Sequence, residues 1–171
     1  MILVYTGNGK GKTSAAMGGV FRALGHGWRV LVIQFLKGDW PIVFGEKESA
    51  KRHPKLEFLQ LGRGFVKIMG DKKPIAVHRA AAREALRKAQ MKILSKRYDL
   101  VVMDEVLAAL DLISLEALIG LLKRVPAKTH IILTGRNAPA KIMKVADLVT
   151  EMKEIKHPFQ KGIQAQKGID Y

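Results

Sequence analysis

A short apolar run near the start of the chain leads directly into a glycine-rich loop. Ile2 to Tyr5 is typical of a buried strand, and the segment TGNGKGKTS at Thr6 to Ser14 follows it. Helical spacing of apolar residues then continues from Lys12 to Leu24. A strand, a glycine-rich loop and a helix in this order predict a phosphate-binding loop, because the loop amides and the helix N-terminus converge on one anion.

The loop carries the side chains that a nucleoside triphosphate requires. Lys12 is expected to contact terminal phosphate oxygens, and the Thr13 hydroxyl is suited to Mg²⁺. The usual pattern begins with glycine where this chain has Thr6, so a purely structural glycine turn is the alternative interpretation. The residues predicted to bind the nucleotide in this loop are Thr6, Gly7, Asn8, Gly9, Lys10, Gly11, Lys12, Thr13 and Ser14.

Two carboxylates follow another apolar run and are the expected metal partners of the loop. Leu100 to Met103 predicts a buried strand that ends in Asp104 and Glu105. A carboxylate in this place holds Mg²⁺, or Mn²⁺, directly or through water. The spacing does not decide which of the two ligates the metal, and we favour Glu105 for the contact with Asp104 beside it. Together with Thr13, these residues form the predicted metal site.

Further candidates lie in loops. Arg136 follows a predicted strand and is suited to bidentate phosphate contact, although an ordinary surface arginine in a turn is an equal alternative. The loops at 36–55 and 62–73 carry apolar side chains that suit a platform for a flat second substrate, with ordinary loop packing as the alternative. These platform candidates are Trp40, Phe44, Phe65 and Met69.

Apolar runs without alternation, separated by helical patterns, predict an α/β fold with a mostly parallel sheet covered on both faces. We expect a three-layer, RecA-like P-loop nucleotide-binding fold in a single domain over residues 1–171. The predicted strands are residues 2–5, 30–33, 56–61, 100–103, 131–133 and 148–155, and the predicted helices are 12–24, 74–97, 114–123 and 138–146. Residues 36–55 are predicted to be irregular. The apolar stripe of the longest helix is Ile75, Ala82, Leu86, Ala89 and Ile93.

The net charge of +15, from 30 Lys and Arg against 15 Asp and Glu, favours polyanionic ligands. We favour a solvated basic surface over a nucleic-acid face as the explanation of this charge, since no recognition motif accompanies it. A RecA-like ATPase acting on nucleic acid is therefore kept as the alternative function. The sequence has no cysteine, no signal-peptide pattern and no long apolar run, so we expect a cytoplasmic protein without membrane contact.

Six segments, in order along nearly the whole chain, resemble the P-loop family of ATP:corrinoid adenosyltransferases, also called cob(I)yrinic acid a,c-diamide adenosyltransferases. The last segment is the most diagnostic, because a generic P-loop ATPase has no need of it. The loop that begins with Thr6 is normal in this family. The segments are YTGNGKGKTSAAMG, GHGWRVLVIQFLKGDWP, LGRGF, VVMDEV, IILTGRNAP and ADLVTEMKEIKHPFQKGIQAQKGIDY.

The resemblance implies a reaction at C5′ of ATP rather than at phosphorus. Such an enzyme transfers the 5′-deoxyadenosyl group of ATP to Co(I) of a corrinoid, either cobalamin or a precursor, and releases triphosphate. Family members hold ATP reversed, with the γ-phosphate at the place that a β-phosphate usually fills. The resemblance also implies a homodimer and a flavoprotein or other reductant that supplies Co(I), and it makes nucleic acid an unexpected partner.

Catalytic roles are predicted for Lys12 and Glu105 from the phosphate loop and its acidic partner, and for Phe65 from the resemblance. Phe65 matches one of the aromatic residues that close the axial face of cobalt and favour four-coordinate Co(II). The second aromatic, usually tryptophan, is Lys67 here, so we expect that another aromatic such as Trp40 replaces it or that cobalt is activated less effectively. Some family members cover the corrinoid with an N-terminal extension, and because this sequence starts at the first strand, that cover is expected to be absent or supplied differently.

Overall fold

The fold is built on one sheet of parallel strands. A computed structural model describes residues 1–39, 42–64, 66 and 70–171. Within this part of the chain, six strands pair in the order β3-β2-β4-β5-β1-β6, and each pairing is parallel. The strands are β1 (Ile2–Thr6), β2 (Val30–Gln34), β3 (Leu56–Gln60), β4 (Leu100–Asp104), β5 (His130–Thr134) and β6 (Leu148–Glu151).

Helices cover both faces of the sheet and make the predicted three-layer α/β architecture, which is confirmed. Apolar side chains of α1 pack on one face of the sheet, and those of α3, α4 and α5 pack on the other. The helices are α1 (Lys12–Gly25), α2 (Gly45–Ala50), α3 (Ile75–Leu94), α4 (Leu115–Leu122) and α5 (Ala140–Val145), and a 3₁₀ helix follows at Pro158–Lys161. No helix among the described residues has the length and apolar character that crossing a membrane requires.

The structure differs from the sequence prediction in the segment between β2 and β3 and at the end of β6. Residues 36–55 were expected to be irregular, but they contain α2. The first turn of this helix carries Glu46 and Glu48, and negative charge near a helix N-terminus interacts favourably with the helix dipole. Six residues are too few to show helical periodicity, so the pattern could not indicate this helix. The last strand, expected to reach residue 155, ends at Glu151.

The buried face of α3 is also shifted from the predicted stripe. Ile75 is 40% exposed, and the buried residue of the first turn is instead His78, which is 2% exposed. Its Nε2 atom lies 2.8 Å from a carboxylate oxygen of Asp71. An imidazole that has a hydrogen-bond partner can be buried with a small free-energy penalty. The predicted stripe counted only apolar residues and therefore left out His78. Leu86 is likewise only partly buried, while Ala85 is fully buried.

Strand register brings the polar ends of the strands together at one edge of the sheet. Gln34 at the end of β2 is paired with Asp104 at the end of β4, and Tyr5 of β1 is paired with Thr134 of β5. The carboxyl ends of all six parallel strands therefore face the same edge. In open α/β sheets this is the edge at which ligands bind.

A polar cluster ties the outer strand β3 to α3 on the side of the sheet that α3 covers. Lys92 Nζ lies 2.6 Å from a carboxylate oxygen of Glu57, and the Tyr98 hydroxyl donates a hydrogen bond to the same carboxylate. Partial burial raises the pKa of Glu57, but the hydrogen bonds from Lys92 and Tyr98 outweigh it and hold the pKa below its usual value. The cluster therefore stabilises the fold while Glu57 is ionised.

Replacing Glu57 with glutamine tests this cluster through its pH dependence. A depressed carboxyl pKa contributes stability above the unfolded-state value, and this stability is lost as pH falls through the folded-state value. We expect Glu57→Gln to lower the free energy of unfolding by about 1 kcal/mol or less at neutral pH, and we expect this difference to shrink as pH falls below the ordinary glutamate pKa of about 4.3. Urea unfolding across this range measures it. Glu48→Gln, which removes an exposed pair with Lys51, is the matched control, and equal pH profiles for both variants would contradict the assignment.

Candidate functional site

A pocket of about 960 Å³ opens at the carboxyl edge of the sheet. Its wall combines the glycine-rich loop from Asn8 to Ser14 with side chains that follow β2, β4 and β5. The C-terminal segment from His157 to Tyr171 supplies further lining residues, including Asp170. The volume lies in the range of small-molecule and cofactor sites.

The glycine-rich loop is hydrogen-bonded to the segment that follows β6. The Gly9 N–H donates to the Met152 carbonyl at 2.7 Å, and the Met152 N–H donates to the Thr6 carbonyl at 2.8 Å. A Cβ atom on Gly7 would lie 2.5 Å from the Met152 carbonyl oxygen, and one on Gly9 would lie 2.7 Å from that of Lys153. Glycine is therefore required at these two positions by backbone packing within the protein.

Gly11 is required for a different reason. It immediately precedes α1 with φ of 107°, a conformation that other residues rarely adopt, and a Cβ atom there would meet only the Met152 sulfur at 3.5 Å. The Ala15 N–H donates to the Gly11 carbonyl at 2.7 Å. Within the described part of the chain, the N–H groups of Lys12, Thr13 and Ser14 donate to no backbone carbonyl in the loop. These amides are therefore available to an anion at the N-terminus of α1.

Lys12 lies along the loop that precedes it. Its Nζ atom donates to the Gly7 carbonyl at 2.8 Å and to the Gly9 carbonyl at 2.7 Å, and the residue is only 7% exposed. Burial lowers the pKa of the Lys12 ammonium, while the negative charge of Glu105 opposes this shift. The ammonium is thus fixed in the pocket wall by the loop itself, next to the amides of α1.

Asp104 is the centre of a buried hydrogen-bond network below the loop. Its Oδ1 atom accepts hydrogen bonds from the hydroxyls of Thr13 at 2.8 Å and Thr134 at 2.7 Å. Its Oδ2 atom accepts one from Gln34 Nε2 at 3.0 Å and lies 3.1 Å from Lys37 Nζ. Four donors therefore surround this side chain, which has 0% exposure.

Glu105 is set differently from its neighbour. Its backbone has φ of 60°, and its N–H donates a hydrogen bond to the Thr134 hydroxyl at 2.9 Å. In this conformation Glu105 forms part of the pocket wall. Burial raises the pKa of the Glu105 carboxyl, and the adjacent charge of Asp104 raises it further. The two neighbouring carboxyl groups thus differ in their surroundings. Asp104 accepts a hydrogen bond from the Thr13 hydroxyl, whereas Glu105 lines the pocket.

The residues present fit Mg²⁺ or Mn²⁺ bound together with a phosphate ligand. The oxygens of Thr13, Asp104 and Glu105 are hard donors of the kind that these ions prefer. Among residues 1–39, 42–64, 66 and 70–171, no group of three or more His, Asp or Glu side chains could hold a metal. Mg²⁺ commonly uses only one or two carboxylates and takes its other ligands from substrate phosphates and water. The set thus suits a metal that arrives with a nucleotide.

The C-terminal segment folds back onto the phosphate loop. Asp170 forms an ion pair with Lys10, and its other carboxylate oxygen accepts a hydrogen bond from the Gln166 N–H at 2.8 Å. Lys10 is half-exposed and Asp170 is nearly covered. Composition and periodicity describe this segment only as polar, so no pattern in it indicated a place at the pocket.

The structure brings most of the predicted site residues together. Thr6 and Gly7 are exceptions: they lie outside the pocket wall, and the Thr6 hydroxyl accepts a hydrogen bond from the Ala138 N–H at 3.1 Å. Their predicted contact with the nucleotide stays a prediction. Eight of the residues predicted to bind the nucleotide line the pocket, namely Asn8, Gly9, Lys10, Gly11, Lys12, Thr13, Ser14 and Arg136.

The apolar platform can be placed only in part. Phe44 is buried, lines the pocket and has Lys37 Nζ 5.0 Å from its ring centroid. The other aromatic and apolar candidates lie outside the described residues, as does the lysine at the position of the second axial aromatic. These residues are Trp40, Phe65, Lys67 and Met69.

Comparison with known proteins gives a consistent result over the full length. Residues 1–171 match the model of the family described as ATP:corrinoid adenosyltransferase BtuR/CobO/CobP. The chain is similar to the corrinoid adenosyltransferase of Sinorhizobium sp., at 42% identity over 100% of this chain and 80% of the relative. It is also similar to the corrinoid adenosyltransferase of Escherichia coli K12, at 39% identity over 100% of this chain and 85% of the relative. A further relative is corrinoid adenosyltransferase CobA of Salmonella typhimurium LT2, at 38% identity and the same two coverages.

A solved structure supports the fold alone. The flagellar accessory protein FlaH from Methanocaldococcus jannaschii superposes with a TM-score of 0.60 over 88% of this chain and 69% of that chain. Its sequence identity is 13%, so the likeness extends to architecture and not to activity.

Proposed function

The chain belongs to the ATP:corrinoid adenosyltransferase BtuR/CobO/CobP family, and from this premise we propose how its pocket performs the transfer. The protein is a corrinoid adenosyltransferase, which moves the adenosyl group of ATP to a corrinoid. The phosphate loop, with Lys12 and the free amides at the start of α1, receives the triphosphate of ATP. The observation that carries this proposal is the position of Lys12 and Thr13 beside the Asp104 network in one pocket.

The bond that breaks is C5′–O of ATP, and the bond that forms joins C5′ to cobalt. The electron pair of Co(I) becomes the new bond, and the electrons of C5′–O leave with triphosphate, which carries about four negative charges at neutral pH. Lys12, the amides of Thr13 and Ser14, and Arg136 neutralise this charge as it develops. A divalent ion held by Thr13 with Asp104 or Glu105 would supply further charge neutralisation there.

Such a reaction needs alignment more than acid–base catalysis. Co(I) is itself the nucleophile, so no side chain has to remove a proton. Asp104 already accepts four donors and is therefore unsuited to act as a base. The demand on the protein is to hold C5′ in line between cobalt and the leaving oxygen. We propose that ATP lies reversed in the loop, with the γ-phosphate where a β-phosphate is usual, because this leaves C5′ exposed to the corrinoid.

We propose that Phe65 promotes the reduction step by closing the axial face of cobalt. Phe65→Ala is expected to slow adenosylation from cob(II)alamin about tenfold or more, and to slow it less from chemically prepared cob(I)alamin, because only the first route needs four-coordinate Co(II). Parallel rate measurements on both corrinoids test this. Lys67→Trp restores the usual second aromatic and is expected to speed the cob(II)alamin route alone. Equal losses on both routes for Phe65→Ala would contradict the axial-face role.

Product analysis tests the proposed chemistry against the alternative of a nucleic-acid-dependent ATPase, which the named relatives do not support. We expect triphosphate only when ATP and reduced corrinoid are both present, in equal amount to adenosylcorrinoid. ADP and phosphate stimulated by DNA or RNA would contradict the proposal. A homodimer, a flavoprotein or other reductant, and a cytoplasmic location rest on the resemblance and on composition, and they stay predictions.

A further inference from the structure

Lys37 is a buried cation that the proposed chemistry does not use. It follows β2 and is 8% exposed, with its Nζ atom 3.1 Å from Asp104 Oδ2. The same atom lies 3.4 Å from the Thr13 hydroxyl oxygen and 3.6 Å from a carboxylate oxygen of Glu46. The ring of Phe44 covers it, with the centroid 5.0 Å away. Three oxygens and an aromatic face therefore surround one ammonium group.

These oxygens come from three separate elements and include two from the predicted metal site. Thr13 lies in the first turn of α1, Asp104 ends β4, and Glu46 lies in α2. The Thr13 hydroxyl donates its proton to Asp104 Oδ1, so the lone pairs of its oxygen are left for a cation. Hard oxygens of this kind bind a divalent ion or an ammonium by the same electrostatic attraction. Lys37 and a divalent ion therefore compete for the same oxygen atoms of Thr13 and Asp104.

We propose that Lys37 is a positioning residue that serves as an internal counter-ion, holding Thr13 and Asp104 in place and keeping divalent metal out until a nucleotide brings it. The proposal rests on the proposed function in one respect, namely that Thr13 and Asp104 form the metal side of the ATP site. A metal that arrives alone would have to bind beside a buried positive charge, which is unfavourable. Triphosphate reverses this balance, because its negative charge attracts both cations.

Metal binding without nucleotide tests the proposal directly. We expect the wild-type protein to bind Mn²⁺ weakly in the absence of ATP, as followed by the electron paramagnetic resonance signal of free Mn²⁺. Lys37→Met is expected to bind Mn²⁺ alone about tenfold more tightly or better, since the competing charge is gone. Its metal-free melting temperature is expected to fall, because Asp104 loses its cationic partner, and Mg²⁺ alone is expected to restore part of that loss.

The matched control is Lys47→Met, which removes an exposed lysine from α2 beside Glu46 and outside the pocket wall. It is expected to bind Mn²⁺ as the wild type does. If Lys37→Met binds Mn²⁺ no more tightly than Lys47→Met, the proposal is overturned.

A wild-type measurement covers the case in which Lys37→Met does not fold. We expect ATP to increase the affinity of the wild-type protein for Mn²⁺ by about a hundredfold, after correction for the affinity of free ATP for the ion. Equal Mn²⁺ affinity with and without ATP would overturn the proposal. None of these titrations involves a corrinoid. A negative result in them would therefore contradict the role of Lys37 without contradicting adenosyl transfer. Conversely, a failure to detect adenosyl transfer would not change what the titrations show about Lys37.

Discussion

Replacing Lys12 with alanine should lower turnover at saturating ATP by about a hundredfold or more, because the charge of the leaving triphosphate would develop without its nearest ammonium. The structure supports a large effect, since Lys12 is buried at the loop and fixed by two loop carbonyls. A group fixed in this way needs no reorganisation when the charge develops. The measurement is kcat with chemically prepared cob(I)alamin, which removes the reduction step from the comparison.

Lys10→Ala is the control for the Lys12 experiment. Lys10 lies in the same loop, but its side chain is half-exposed and forms an ion pair with Asp170. Its ammonium is therefore not fixed by the loop in the way that the Lys12 ammonium is. We expect this variant to raise KM for ATP with a much smaller change in kcat. Unchanged kcat for Lys12→Ala, or a change confined to KM, would remove Lys12 from the role assigned to it. Melting temperatures of both variants separate a loss of catalysis from a loss of folded protein.

Replacing Asp104 with asparagine should have the second large effect, on stability and on metal-dependent turnover together. An asparagine amide nitrogen would have to face two donors, either the hydroxyls of Thr13 and Thr134 or the side chains of Gln34 and Lys37. Among the described residues, Glu46 would then be the one carboxylate left in an ion pair with the buried Lys37. We expect the free energy of unfolding to fall by about 3–5 kcal/mol, the usual range when one partner of a buried ion pair is removed.

Urea unfolding and turnover at increasing Mg²⁺ measure the two effects of Asp104→Asn. Turnover is expected to fall about a hundredfold, with only partial recovery at high Mg²⁺, because the metal that we propose for this site would lose a ligand or the anchor of a water ligand. Asp111→Asn removes an exposed carboxylate from the segment after the same strand and is expected to change neither quantity. Wild-type stability in Asp104→Asn would contradict the central position of this carboxylate in the network.

Sequence reasoning was most reliable where one local pattern decides the structure. The apolar runs without alternation predicted the parallel strands, because a strand buried on both faces has no polar side. The glycine-rich pattern also correctly predicted that the loop from Gly7 to Gly11 lies between β1 and α1. Asp104 and Glu105 were also correctly placed at the end of a strand, although the pattern could not separate a saturated buried carboxylate from one that lines the pocket.

Contacts between distant segments could not be predicted in this way. The need for glycine at positions 7 and 9 comes from the backbone of Met152 and Lys153, far along the chain. The burial of Lys37 depends on the register that sets β2 beside β4 and on α2, which is too short to show a pattern. The ion pair between Lys10 and Asp170 likewise joins the two ends of the chain.

The position of one oxygen atom after the reaction tests the central claim most directly. ATP carrying a heavy oxygen isotope between C5′ and the α-phosphorus would be incubated with Mg²⁺, cob(I)alamin and the protein, and the products would be analysed by mass spectrometry. Cleavage of C5′–O predicts that all of the heavy oxygen is found in intact triphosphate and none in adenosylcobalamin. Heavy oxygen that stays attached to the adenosyl product, or ADP in place of triphosphate, would contradict the account.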